Sequence, residues 1–293
     1  MKLEGNGRSI AGAVAFPDTL INQWEGLVVY AEIAYEANEG VARILHNRPA
    51  SRNAENVSLL EEMDDALTRA TADDTVRVIV IGGTGDHFSS GHDVIEAQKL
   101  RPNLTVEERW AHELRYYYDY ALRIWDCPKP MIAAVQGACI AGGFMVANMC
   151  DLIVAADNAF FSDPVCYTMG AAAVELLVHP WVVGNRQAKE MLFTGRRISA
   201  EEAHQWGMVN RVVPLADFQA EVNTLARHIA AAPPFALAMA KRSINRKMDM
   251  QGFRASLEAH FDLHQLSHVS ETFLERKRAG RRSTIDSNRN LKL

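Results

Sequence analysis

The run GACIAGGFMVANMCDL at 137–152 is apolar except for an interruption by Gly142 and Gly143, where a helix is due to begin. Glycine costs backbone entropy, so the position needs a close backbone approach or an unusual dihedral. The amide of Gly142 then lies at or near a helix N-terminus, where unpaired N–H groups carry partial positive charge and suit a developing anion. A second amide comes from FSSGHD at 88–93, where Gly91 permits a tight turn that directs the N–H of His92 toward a pocket. Two such amides from separate loops make an oxyanion hole, and losing one donor from such a hole costs about 10²–10³ in rate.

Other groups compete for a chemical role. Glu175, in GAAAVELLVHPW, is a lone acid amid apolar residues. In a pocket its burial raises the pKa and poises it for proton transfer near neutral pH; at a subunit contact or in solvent it does nothing of the kind. The His92 imidazole titrates in a useful range as well. Asp93 and Asp163 are explained by capping and turn roles, and His179, which precedes Pro180, by structure. His260, His264 and His268 recur every four residues and share one face of a helix. A zinc site would need a further ligand and an oriented outer shell, so a partly exposed helix face is expected, and no metal. GGTGDHF at 82–88 follows a strand, but Phe88 occupies the third glycine position of a dinucleotide-binding turn, which leaves a glycine-rich strand exit.

These groups need a scaffold. EIAYEA and GVARILHN, separated around Asn38, Glu39 and Gly40, predict a hairpin. Apolar residues at helical spacing follow from Val57 to Thr71. VRVIVIGG (76–83), MIAAVQG (131–137) and DLIVAAD (151–157) predict buried strands, with helices between them that include a Trp/Tyr-rich one around 106–125. Strands alternating with helices indicate an α/β class with mostly parallel pairing. Beyond about residue 199 the pattern is helical except for NRVVP at 210–214. Trp110, Tyr116, Tyr117, Tyr118 and Tyr120 can line a pocket for a bulky or ring-bearing group only in part, since consecutive tyrosines diverge around a helix. Three divisions are expected: an N-terminal extension at 1–28, a core at 29–214 and a helical region at 215–293.

With 293 residues, 48% hydrophobic and a formal net charge of −5, the composition suits one large globular domain and gives no pull toward nucleic acid or anionic membrane. A basic cluster at Arg276, Lys277, Arg278, Arg281 and Arg282 is local. Cys127, Cys139, Cys150 and Cys166 lack metal-ligand spacing and read as small core hydrophobes in a reducing compartment. The stretch IAGAVAF, stopped by Pro17, makes a poor secretory signal, and a cytoplasmic location is expected.

The order F-S-S-G-H-D, K-P-M-I-A-A-V-Q-G-A-C-I-A-G-G, then C-D-L-I-V-A-A-D-N-A-F-F-S-D-P resembles the crotonase (enoyl-CoA hydratase/isomerase) superfamily. R-P-A-S-R-N-A at 48–54, F-T-G-R-R-I-S-A-E-E-A at 193–203 and F-L-E-R-K-R at 273–278 extend the resemblance over roughly residues 30–280. It implies a spiral of β-β-α turns with a C-terminal helical trimerisation region, assembled as a homotrimer or dimer of trimers. It also implies an acyl-CoA thioester as substrate, with no resident cofactor, and a thioester carbonyl held by the amides of His92 and Gly142. By position, Arg52 and the loop of Ser89, Ser90 and Gly91 approach the CoA nucleotide. Phe273 and Arg276 would reach CoA on a neighbouring subunit.

Hydratases of this superfamily use two glutamates, and here Met145 and Val165 stand in their places. Neither transfers a proton, so two-carboxylate hydration cannot run unchanged. Met145 instead suits a wall for a greasy acyl chain. The expectation is an acyl-CoA enzyme that stabilises a thioester enolate, with Glu175 as the single acid/base. A non-catalytic acyl-CoA-binding protein, or a hydrolase or C–C lyase on the same fold, are the alternatives.

Overall fold

The computed structural model describes residues 29–100 and 103–279, so the N-terminal extension and Arg281 and Arg282 lie outside the described residues. β1 (Ile33–Asn38) and β2 (Val41–His46) form the expected antiparallel hairpin. Glu39 and Gly40 turn it with φ of 50° and 80°, the left-handed pair that matches the twist of two adjoining strands. α1 (Val57–Ala72) then crosses to β3 (Val78–Gly83), which pairs parallel with β2. The helix begins cleanly because the Asn56 side chain accepts the Leu59 N–H at 2.8 Å. Its core stripe is Leu59, Leu60, Met63, Ala66, Leu67 and Ala70.

Three further parallel steps follow. From β3 the chain runs through α2 (Val94–Leu100), α3 (Val106–Glu113), a π-helical turn at Leu114–Asp119 and α4 (Tyr120–Asp126) to β4 (Met131–Val135). From β4 it passes β5 (Ala138–Ile140) and α5 (Gly142–Met149) to β6 (Leu152–Ala156). From β6 it passes β7 (Phe160–Ser162), α6 (Val165–Met169), α7 (His179–Val183), α8 (Asn185–Thr194), β8 (Ile198–Ser199) and α9 (Ala200–Gln205) to β9 (Arg211–Val213). The main sheet has the order β1-β2-β3-β4-β6-β9, and a smaller one the order β5-β7-β8. Isolated parallel bridges tie Ser89 to Cys139 and Glu55 to His92. The segment leaving each successive strand is thus stacked on the previous one, which makes a spiral and gathers the strand exits in one place.

Alternation along the strands divides the core. Ile79, Ile81, Met131 and Ala133 face the large cluster with α1, α4 and α5. Val78, Val80, Ile132 and Ala134 face α10 (Phe218–Ala230) through Phe218, Val222 and Leu225. The expected division after residue 214 therefore falls just before a helix that covers the sheet, and the separate helical region is α11 (Pro234–Met250), α12 (Phe253–Ser267) and α13 (Glu271–Arg278). No helix among the described residues is long and apolar enough to cross a membrane. Cys127, Cys139 and Cys150 are buried and free, as small core residues are.

Replacing Asn56 with Ala removes the N-cap of α1. The variant should lose about 1 kcal/mol in chemical denaturation with an unchanged m-value.

Candidate active site

Main-chain geometry around His92 follows from its bridge to Glu55. Glu55 N–H donates to the Gly91 carbonyl and Asp93 N–H to the Glu55 carbonyl, both at 2.9 Å. In such a parallel bridge the opposite residue, His92, has its own N–H and C=O turned to the other side. Gly91, at φ 81°, sits so close to the next loop that a Cβ there would fall 2.7 Å from the Ile140 carbonyl and 3.1 Å from the Gly142 nitrogen. The loop carrying His92 and the start of α5 are therefore in contact.

The strained residue at that start is Ala141, not a glycine. Its φ of 49° and ψ of −113° lie in a region normally left to glycine, at a cost of order 1–3 kcal/mol. It is held at both ends, its N–H on the Ser162 carbonyl and its carbonyl on the Met145 N–H, each at 3.0 Å. Gly142 is buried, and among the described residues its N–H meets no acceptor. Buried main-chain donors are rarely left so. The two glycines serve close approach: a Cβ on Gly142 would meet Glu55 Oε2 at 2.5 Å and His92 Nε2 at 2.6 Å, and one on Gly143 would meet Ser89 Cβ at 2.7 Å.

Glu55 is a site residue that the sequence reading passed over, one position beyond R-P-A-S-R-N-A. Its carboxyl is buried, accepts the Ser89 hydroxyl at 2.8 Å and lies 3.7 Å from His92 Nε2. Burial pushes its pKa up to about 7, against a smaller lowering by the Ser89 bond. His92 in turn stacks on Tyr117 at 3.5 Å and 11° between planes. An acid following an Arg-rich turn was visible in the sequence, but its burial was not.

A cavity of about 130 Å³ opens beside these groups, lined by His92, Ala141, Val165, Ala173, Val174 and Glu175 among others. Glu175 is almost wholly buried, and burial first, then the nearby Asp163 charge, push its carboxyl well above the usual range. It rides on a 3-10 turn at Val174–Leu177. His179 Nδ1 lies 3.1 Å from the Glu175 carbonyl and His179 Nε2 3.3 Å from Asp163 Oδ2, which steadies that turn from behind. Asp163 also accepts the Val165 N–H, and Asp93 caps α2 through Glu96 N–H, the turn and cap roles expected of them.

A wider groove of about 620 Å³ lies outside, lined by Arg48, Ser51, Arg52 and Lys99, and it shares Ser90, His92, Asp93 and Val94 with the cavity. Ser90 and Arg52 are thus on the path inward, whereas Ser89 is fully buried and bonded to Asn53 and Glu55. Met145 packs in the core and is not among the residues lining the cavity, so the expectation of an acyl-chain wall there does not hold. Phe273 is buried against His268 of its own chain, centroids 4.6 Å apart, and Arg276 donates to the Tyr167 carbonyl at 2.6 Å. His260, His264 and His268 do share a helix face, but it is buried rather than partly exposed.

The spiral of strand exits and the paired amide loops define a class. Residues 36–279 match the enoyl-CoA hydratase/isomerase family, and the chain belongs to it. It is 38% identical over 246 residues to a Mycobacterium tuberculosis protein designated an enoyl-CoA hydratase, EchA13, covering 78% of this chain and 77% of that one. It is 37% identical to 4-chlorobenzoyl coenzyme A dehalogenase-2 of an Arthrobacter species, covering 81% and 84%. Among solved structures, an enoyl-CoA hydratase/isomerase from Xanthobacter autotrophicus Py2 superposes with a TM-score of 0.82 at 37% identity, covering 89% of this chain and 96% of that one. The crotonase fold and an acyl-CoA enzyme family are thereby established for this protein.

Glu55 holds a proton when folded, up to about pH 7, that the unfolded chain releases near 4.5. Stability should therefore fall as pH rises from about 4.5 to 7 and level off above, by about 3 kcal/mol in total for this group. Denaturation of Glu55→Gln across that range should show a shallower decline than the parent.

Proposed function

We propose that this protein binds an acyl-CoA thioester with its carbonyl between the amides of His92 and Gly142, and that Glu175 alone moves the proton of the resulting enolate. The observation that carries this is the buried Gly142 N–H, without an acceptor among the described residues, next to Ala141 of a cavity that Glu175 lines. An enolate oxygen placed there meets fixed dipoles that need no reorganisation as its charge develops. The groove that carries Arg52 and Lys99 has the position for the CoA phosphates.

One carboxyl suffices to take a proton from one carbon and return it to another. The raised pKa makes Glu175 a good donor at neutral pH and a scarce base, so the step that removes a proton is limited by its ionised fraction. This favours a double-bond shift or α-proton exchange over hydration, which needs a second group to hold water. The relative's chemistry on chlorobenzoyl-CoA remains that protein's own.

Two substitutions separate the parts. Gly142→Pro and Gly142→Ala both add a Cβ toward Glu55 and His92, but only Pro removes the N–H, while also restricting Ala141 before it. Turnover of acyl-CoA should fall by a further 10²–10³ or so in the Pro variant relative to Ala. Equal turnover in the two would refute the amide's role. Glu175→Gln should retain acyl-CoA affinity and lose proton exchange. In the parent, exchange should climb with pH beyond the ordinary carboxylate range, and a flat profile would count against Glu175 as base.

A further inference from the structure

Charged and imidazole side chains from two helices also line the cavity. α3 contributes Arg109 and Glu113, four residues apart on one face, and α12 contributes His264 and His268 in the same spacing. His264 Nδ1 lies 2.7 Å from the Ala172 carbonyl, so that nitrogen donates its proton. Its Nε2 lies 2.6 Å from Glu113 Oε2, a contact that two lone pairs cannot make. A proton therefore lies along that contact, and the two side chains satisfy one another.

Consistent with that pairing, Glu113 is held down at about 2: burial opposes ionisation, but the His264 bond and charge, with His268 and Arg109 behind them, outweigh it. Gln265 adds a second donor to the same carboxylate oxygen at 2.8 Å. His268 donates through Nδ1 to the His264 carbonyl at 3.0 Å, and burial lowers its pKa to about 4, which leaves it neutral.

The remaining charges do not cancel. Asp93 lines the cavity but is spent on Arg48, at 2.9 Å, and on capping α2. Glu113 is spent on His264. The Arg109 side chain is partly buried, lines the cavity and, among the described residues, makes no hydrogen bond and no ion pair within 4 Å. A guanidinium withdrawn from water without a partner is costly, and its planar fork fits a carboxylate.

We propose that the acyl group this protein accepts ends in a second carboxylate, held in the cavity by Arg109 beside the His264–Glu113 pair. The thioester and that carboxylate would share one cavity, of about 130 Å³. The inference rests on the acyl-CoA reading above and narrows its substrate to ω-carboxyacyl thioesters.

Calorimetric titration of the full chain with succinyl-, glutaryl- and adipyl-CoA, and with methyl-ended thioesters of equal carbon number, tests it. One of the diacid thioesters should bind about tenfold or more tighter than its methyl-ended counterpart, as a charge-assisted fork implies. In Arg109→Gln the two should bind within about twofold of one another. Equal or tighter binding of the methyl-ended series by the parent overturns the proposal, as does a diacid preference that survives Arg109→Gln. If no thioester binds better than free CoA, the acyl-CoA reading itself fails and takes this one with it.

Discussion

The contact between the start of α5 and the loop from Ser89 to His92 is the constraint on which the site depends. Gly142 and Gly143 bring helix backbone against Glu55, His92 and Ser89 at distances no side chain would permit. Ala141 absorbs the dihedral strain, and bonds at both of its ends keep it there. The result is a buried N–H without an acceptor among the described residues. Everything around it works to hold that amide still: the parallel bridge from Glu55 to His92, the Ser89 hydroxyl on Glu55, and the bridge from Ser89 to Cys139.

Much of this was legible beforehand because it depends on local pattern. The hairpin turn at Glu39 and Gly40, the helix from Val57 and the three apolar strands each declare themselves by period and breaker residues. The glycine pair pointed to close approach, and the approach is there, although the unusual dihedral belongs to Ala141. What stayed hidden is tertiary. Glu55 is an ordinary acid until burial raises it to about 7. The strands β5, β7 and β8 are two or three residues long, too short for a period to show. The face of His260, His264 and His268 was correctly drawn on one side of a helix, but whether it met water or α3 depended on how α12 packs.

Met145 and Val165 illustrate how one scaffold exchanges its chemistry. Met145 is absorbed into the core beneath α5, while Val165 remains on the cavity wall as an inert surface. On the reading proposed above, proton transfer would fall to Glu175, which rides on a short turn backed by His179 and Asp163. A carboxyl in that position, isolated from water and from cations, stays protonated longer than a paired one. In that proposal the hole would provide the electrostatics and this one group the proton.

The most direct measurement of the central claim is deuterium uptake at the α-carbon of bound acyl-CoA, with the parent protein in deuterated water and the thioester read by mass spectrometry. An enolate held between the amides of His92 and Gly142, with Glu175 returning the proton, predicts label in the thioester at a rate far above the protein-free control, with or without a shifted double bond. Tight thioester binding with no label across saturated and unsaturated acyl groups would contradict it, and would make the hole a binding device alone.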